Sequence, residues 1–122
     1  MTRELISRLE NCRVISIAAT GWSAVDVKAA ADHGQYVCAI GEYCPEEVAD
    51  HTLALLLALQ RRLMTLNRSV QRDRQWDWTL VPDLERTSEL ILGLLGLGKI
   101  GLAVAARARA FKLRVIAFDP YV

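Results

Sequence analysis

Gly96, Gly98 and Gly101, in the run LLGLGKIG, are spaced as G-x-G-x-x-G. Glycines in this pattern let the chain turn tightly out of a strand, bring bare backbone up to a pyrophosphate, and pack the next helix close to the strand. The phosphate would lie at the helix N-terminus, where unpaired N–H groups and the macrodipole favour negative charge. Asp119 follows at roughly the 20-residue spacing expected of an acid that binds a ribose. A carboxylate there can accept from both ribose hydroxyls and would repel a 2′-phosphate, which favours NAD over NADP. The G-x-x-x-x-G-K-[ST] pattern of an ATP loop is not completed, because Lys99 is followed by Ile100 where a Ser or Thr is required. Lys99 is expected to be solvated or to face the phosphate.

Elements of the right kind flank the turn. LILGLLG, 90–96, reads as a buried strand, Lys99 to Phe111 as a helix rich in Ala and Arg, and LRVIAFD, 113–119, as a strand ending in the acid. Upstream, residues 3–11 suggest a short amphipathic helix and RVISIAAT, 13–20, a buried strand. SAVDVKAAADHG, 23–34, suggests a helix with Ser23 as N-cap and Gly34 as its stop, and YVCAI, 36–40, a second strand with Cys38 inside the core. From Pro45 no Gly or Pro intervenes until Pro82, so one helix of nearly thirty residues is expected over 45–72. Its middle, Leu53–Leu59, is apolar on nearly every side, whereas Arg61–Arg74 is amphipathic. Residues 77–89, with Pro82, read as loop. Strands alternating with helices make the class α/β with parallel pairing.

Composition narrows the function classes. The 122 residues include 15 basic and 14 acidic ones, a formal charge of +1, which gives no electrostatic argument for nucleic acid or a membrane surface. Arg61, Arg62, Arg72 and Arg74 are interrupted by Asp73 and Asp77 and read as a solvated face. Cys12, Cys38 and Cys44 form no C-x-x-C pair, so neither a zinc site nor a disulfide frame is indicated, and a cytoplasmic setting fits. MTRELISRLENC is too charged for a signal peptide, and LALLLAL, 53–59, is far short of the ~20 residues of a membrane span.

The order of strand, ATGWSAVD, strand, CPEEVADHTLALLLAL, LLGLGKIG and AFDPYV resembles the D-isomer-specific 2-hydroxyacid dehydrogenases. EYCPEEVADHTLALLLAL looks most like the branch with C-terminal-binding-protein-like members. The resemblance runs from about Arg13 to Val122. It implies a partial Rossmann-like chain: residues 1–43 as the end of a flavodoxin-like substrate domain, 44–76 as a long crossing and dimerisation helix, and 77–122 as the start of an NAD-binding domain. It implies NAD contacts at Gly96, Gly98, Lys99, Ile100, Gly101 and Asp119. It also implies that the loop AATGW holds a substrate carboxylate on backbone N–H groups at Gly21, and that Thr20 touches the cofactor. Ala19 departs from a glycine common in relatives, and Ser23 stands where an Asp often follows.

The family's catalytic Arg, Glu and His are implied to lie beyond Val122, so no catalytic residue is assigned and no turnover is expected of these 122 residues alone. His33 is expected to cap a helix end or lie exposed, and His51 to pack or meet a partner. Glu46, Glu47 and Asp50 are expected to serve as first-turn charges. Trp76 and Trp78 either pack the end of the long helix or form a partner surface. The implied partners are a 2-hydroxy or 2-keto acid and a second copy of the chain through 45–72, with no nucleic acid, membrane or metal. Two rival readings stay open: a dinucleotide-sensing or dimerising regulatory module of corepressor type, and a truncated product with no independent role.

Overall fold

Val14–Ile17 (β1) and Tyr36–Ala39 (β2) alternate between a covered and a bare face, as strands packed on one side do. They pair in parallel, with Val14 opposite Tyr36 and Ser16 opposite Cys38. The computed structural model describes residues 1–122, and the chain divides into two units, Met1–Tyr43 and Cys44–Val122. In the first unit, helices Arg3–Ser7 (α1) and Val27–Asp32 (α2) cover the strand pair, burying Ile6, Ile15, Ala29 and Ala30 against Val25 and Val37. Buried Gln35 donates through Nε2 to Leu9 O at 3.1 Å, fastening the start of β2 to the end of the first helical segment.

Three sequence expectations change here. Cys38 is exposed, because it lies with Tyr36 on the bare face of the sheet. The helix expected from Ser23 begins at Val27, because Asp26 supplies the cap and accepts the Ala29 N–H at 2.8 Å. A carboxylate at N-cap satisfies a donor that the helix itself leaves open, and Asp26 is placed to do so where Ser23 is not. The first helix is shorter than 3–11 and ends at Ser7. Gly34 does stop α2, with φ +68, a left-handed conformation that glycine adopts without cost.

The second unit comprises Pro45–Gln60 (α3), Leu63–Gln71 (α4), Ile91–Leu95 (β3), Lys99–Ala110 (α5) and Arg114–Phe118 (β4). β3 and β4 are parallel, with Leu92 opposite Val115 and Leu95 opposite Phe118. α3 and α5 pack on one face of this pair around Ala49, Leu53, Val104, Ala108 and Leu113. Small residues at 49 and 108 let the two helices approach, while Leu53 and Val104 fill the space between them. Burial of each large apolar side chain contributes about 1.5–3 kcal/mol. The opposite face leaves Ile91, Leu95, Ile116 and Phe118 exposed.

The single helix expected over 45–72 is two helices. Arg62 breaks it with φ 52, a conformation that costs a residue bearing a Cβ about 1–2 kcal/mol. Tertiary contacts offset that cost on both sides. Gln60 at the end of α3 donates to Glu85 O at 2.7 Å and accepts from Thr87 at 3.2 Å. Beyond the break, α4 turns Leu66, Ser69 and Val70 toward Trp76, Trp78, Val81 and Leu84, around a cavity of about 240 Å³. Asp77 begins a short turn over Trp78–Leu80 by accepting the Thr79 N–H at 2.8 Å.

Candidate functional site

Gly96, Gly98 and Gly101 do three different things. Gly96 has φ +96, where a side chain would strain the backbone. A Cβ on Gly101 would lie 2.4 Å from Gly96 O, so only glycine lets α5 start this close under the end of β3. Gly98 is neither twisted nor crowded: its φ is −68, and a Cβ there would meet nothing within 4 Å. Neither local strain nor packing asks for glycine at 98, and open space above a helix N-terminus is what a ligand needs.

Gly98 is the N-cap of α5 and supplies no side-chain cap. The first-turn residues Lys99, Ile100 and Gly101 stand there with a helix dipole behind them, and no acidic side chain occupies that turn. Ile100 is exposed and Gly101 half-buried.

Asp119 lies just past β4 and is half-buried. Its Oδ2 accepts the Leu97 N–H at 2.6 Å and its Oδ1 accepts the Tyr121 N–H at 2.9 Å. These bonds, the Leu97 one first, hold its carboxyl below the ordinary value of 3.8 against the opposing effect of desolvation. An ionised carboxylate has about four acceptor positions, so two remain for ribose hydroxyls. The residues therefore fit a dinucleotide: open space over Gly98, a helix N-terminus with no side-chain cap, and an oriented acid beside it.

In the first unit, Thr20 and Gly21 lie in the connection between β1 and α2, and both are exposed. A Cβ at Gly21 would meet nothing within 4 Å, and its φ is not positive. His33 is the C-cap of α2, its Nδ1 2.9 Å from Ala29 O. His51 is exposed.

Glu46 and Glu47 lie in the first turn of α3 as expected, and Asp50 lies one turn further on. Glu46 and Asp50 together bind Arg107 of α5, Oε2 to Nη2 at 2.6 Å and Oδ1 to Nε at 2.5 Å. Both bonds raise the Arg107 pKa further, Glu46 first. Their four-residue spacing was the available signal, since residues at i and i+4 share a helix face and can meet one cation. The partner on another helix was not legible. Trp76 and Trp78 line the α4 cavity yet are 87% and 73% exposed, so the expected packing of the helix end is partial. No group of three or more His, Cys, Asp and Glu is placed to hold a metal ion, and no helix is long and apolar enough to cross a membrane.

Residues 53–122 match the family described as D-isomer specific 2-hydroxyacid dehydrogenase, NAD binding domain. The whole chain is 34% identical to the D-3-phosphoglycerate dehydrogenase of Methanocaldococcus jannaschii and spans 23% of that protein's length. Among solved structures, 98% of the chain superposes on 36% of the D-lactate dehydrogenase from Aquifex aeolicus complexed with NAD and lactic acid, with a TM-score of 0.87 and 30% identity. An acyclic imino acid reductase in complex with NADPH and D-Arg gives a TM-score of 0.88 at 26% identity, over 99% of this chain and 39% of that one. The chain thus spans well under half the length of these relatives. The likeness of residues 42–59 to a C-terminal-binding-protein-like branch finds no support in these three.

Proposed function

This chain belongs to the D-isomer specific 2-hydroxyacid dehydrogenase family, and from that premise we propose that its Gly96–Gly101 turn and Asp119 hold NAD for an oxidoreductase acting on a 2-hydroxyacid. Bound there, the nicotinamide would exchange hydride with C2 of the hydroxyacid or its keto partner. The chain's own residues bind and orient. Gly98 lets the pyrophosphate reach the backbone, and the first-turn N–H groups of α5 donate to it, with Lys99 at the same helix start. Asp119 accepts from the ribose hydroxyls and disfavours a 2′-phosphate. The observation that carries the reading is Gly98, a glycine with open space above it where neither strain nor packing requires one.

In the first unit, Gly21 is proposed to hold a substrate carboxylate on loop N–H groups, and Thr20 to touch the cofactor. The unit 1–43 is proposed as part of a substrate domain and 77–122 as part of the dinucleotide domain. Dimerisation through 45–72 is proposed on the exposed apolar side chains Leu55, Leu59, Leu63 and Met64. Light scattering tests it: a dimer that Leu59→Glu dissociates supports it, and a monomer at every concentration rejects it.

Calorimetric titration of NAD into the 122-residue chain and into Gly98→Val tests the central reading. Binding by the first and at least about a hundredfold loss in the second, with unchanged melting, is the expected result. Absent binding, or equal affinity in both, rejects it. NADP binding as tightly as NAD would reject the role of Asp119 in excluding a 2′-phosphate.

A further inference from the structure

The end of β4 is tied to the glycine turn by consecutive groups. Phe118 O accepts the Gly96 N–H at 2.8 Å, and the Asp119 carboxylate accepts the Leu97 N–H at 2.6 Å. The second bond falls on the single residue between two glycines. Glycine loses more conformational freedom on ordering than any other residue, so a turn of sequence Gly96-Leu97-Gly98 is costly to hold in one shape. The carboxylate is itself anchored. Pro120 has no N–H, and the next donor, Tyr121 N, bonds Oδ1 at 2.9 Å, closing a short turn of the kind Asp side chains make with their own backbone.

We infer that Asp119 is a positioning residue for the phosphate turn: by accepting the Leu97 N–H, it holds Gly96–Gly98 in the shape that presents the α5 N-terminus to a pyrophosphate. It acts on the phosphate end of a ligand without touching it, through acceptor positions other than those a ribose would use. This inference rests on the dinucleotide reading above.

The test uses a ligand with no ribose. Inorganic pyrophosphate and NAD are titrated, by amide NMR, into the full chain, Asp119→Asn and Asp119→Ala. Asn keeps an acceptor for the Leu97 N–H but loses the charge, whereas Ala loses both. Pyrophosphate affinity is expected to fall about tenfold in D119A and by a smaller factor, about threefold, in D119N, as neutral acceptors bond less strongly than ionised ones. In the unaltered chain, the Leu97 and Tyr121 amide protons should shift together as acid protonates the carboxylate. Equal pyrophosphate affinity in all three proteins, with NAD still bound by the unaltered chain, overturns the inference and leaves the dinucleotide reading standing. If the unaltered chain binds neither ligand, the dinucleotide reading fails and the inference falls with it. Where D119A does not fold, D119N decides: pyrophosphate affinity equal to that of the unaltered chain overturns the inference, as does a Leu97 amide that ignores acid.

Discussion

The chain contains two strand–helix–strand units with parallel pairs, β1–α2–β2 and β3–α5–β4. In the first, residues 18–26 lead from strand to helix; in the second, only 96–98 do. The long connection ends in Asp26, whose carboxylate occupies the N-terminus of α2. The short one ends in Gly98, which offers α5 no side-chain cap. The same local problem, donors that a helix cannot satisfy by itself, is solved internally in one unit and left open in the other. Topology alone therefore does not make an anion site. The two helix starts differ because the short turn brings no cap of its own and has glycine where a cap residue would normally stand.

Substitutions can break that contrast, and the largest effect should come from Gly101. Its Cβ would collide with backbone, so Gly101→Ala should cost about 1–3 kcal/mol in urea unfolding and abolish NAD binding. Gly98→Val separates function from fold: stability should stay within about 1 kcal/mol while NAD affinity collapses. Asp26→Ala should cost about 1 kcal/mol, read as loss of α2 helicity, with NAD affinity unchanged. Gly21→Ala should be the mildest, within about 0.5 kcal/mol, since neither space nor backbone requires glycine there.

Acid offers a reversible version of the same comparison. The Asp119 pKa is lower in the fold than the ordinary 3.8, so its stabilising bonds are fully present above 3.8 and are lost as pH falls through the lower folded value. Turn order, followed by the Leu97 amide, should therefore persist at pH 3.8 and fail only as pH falls through the lower folded value. Loss of order between pH 5 and 7 would contradict this.

The glycine turn, its flanking strands and Asp119 were legible in the sequence because each depends on residue type at short range. β4, expected over 113–119, occupies Arg114–Phe118, and α5, expected to start at Lys99, does so. What escaped was tertiary. Nothing local marks Arg62 as a helix break, since the contacts that favour it come from Glu85, Thr87 and Trp76. Cys38 looked internal because its run is apolar on both faces, and only the packing shows which face a helix covers. Asp26 escaped because Ser23 offered an earlier cap of equal chemical merit. The Leu97–Asp119 bond escaped because it joins a backbone group to a side chain far along the sequence.

The break at Arg62 also divides the second unit into parts of unequal durability. α3 belongs to the core with Leu53 and Val104, whereas α4 buries only Ser69 and leans on a cavity rimmed by exposed tryptophans. Amide hydrogens of α4 should exchange with solvent through local openings well before those of α3, whose protection follows global unfolding. A protease given the native chain should accordingly cut first between residues 62 and 76, leaving the helix pair that frames the glycine turn intact.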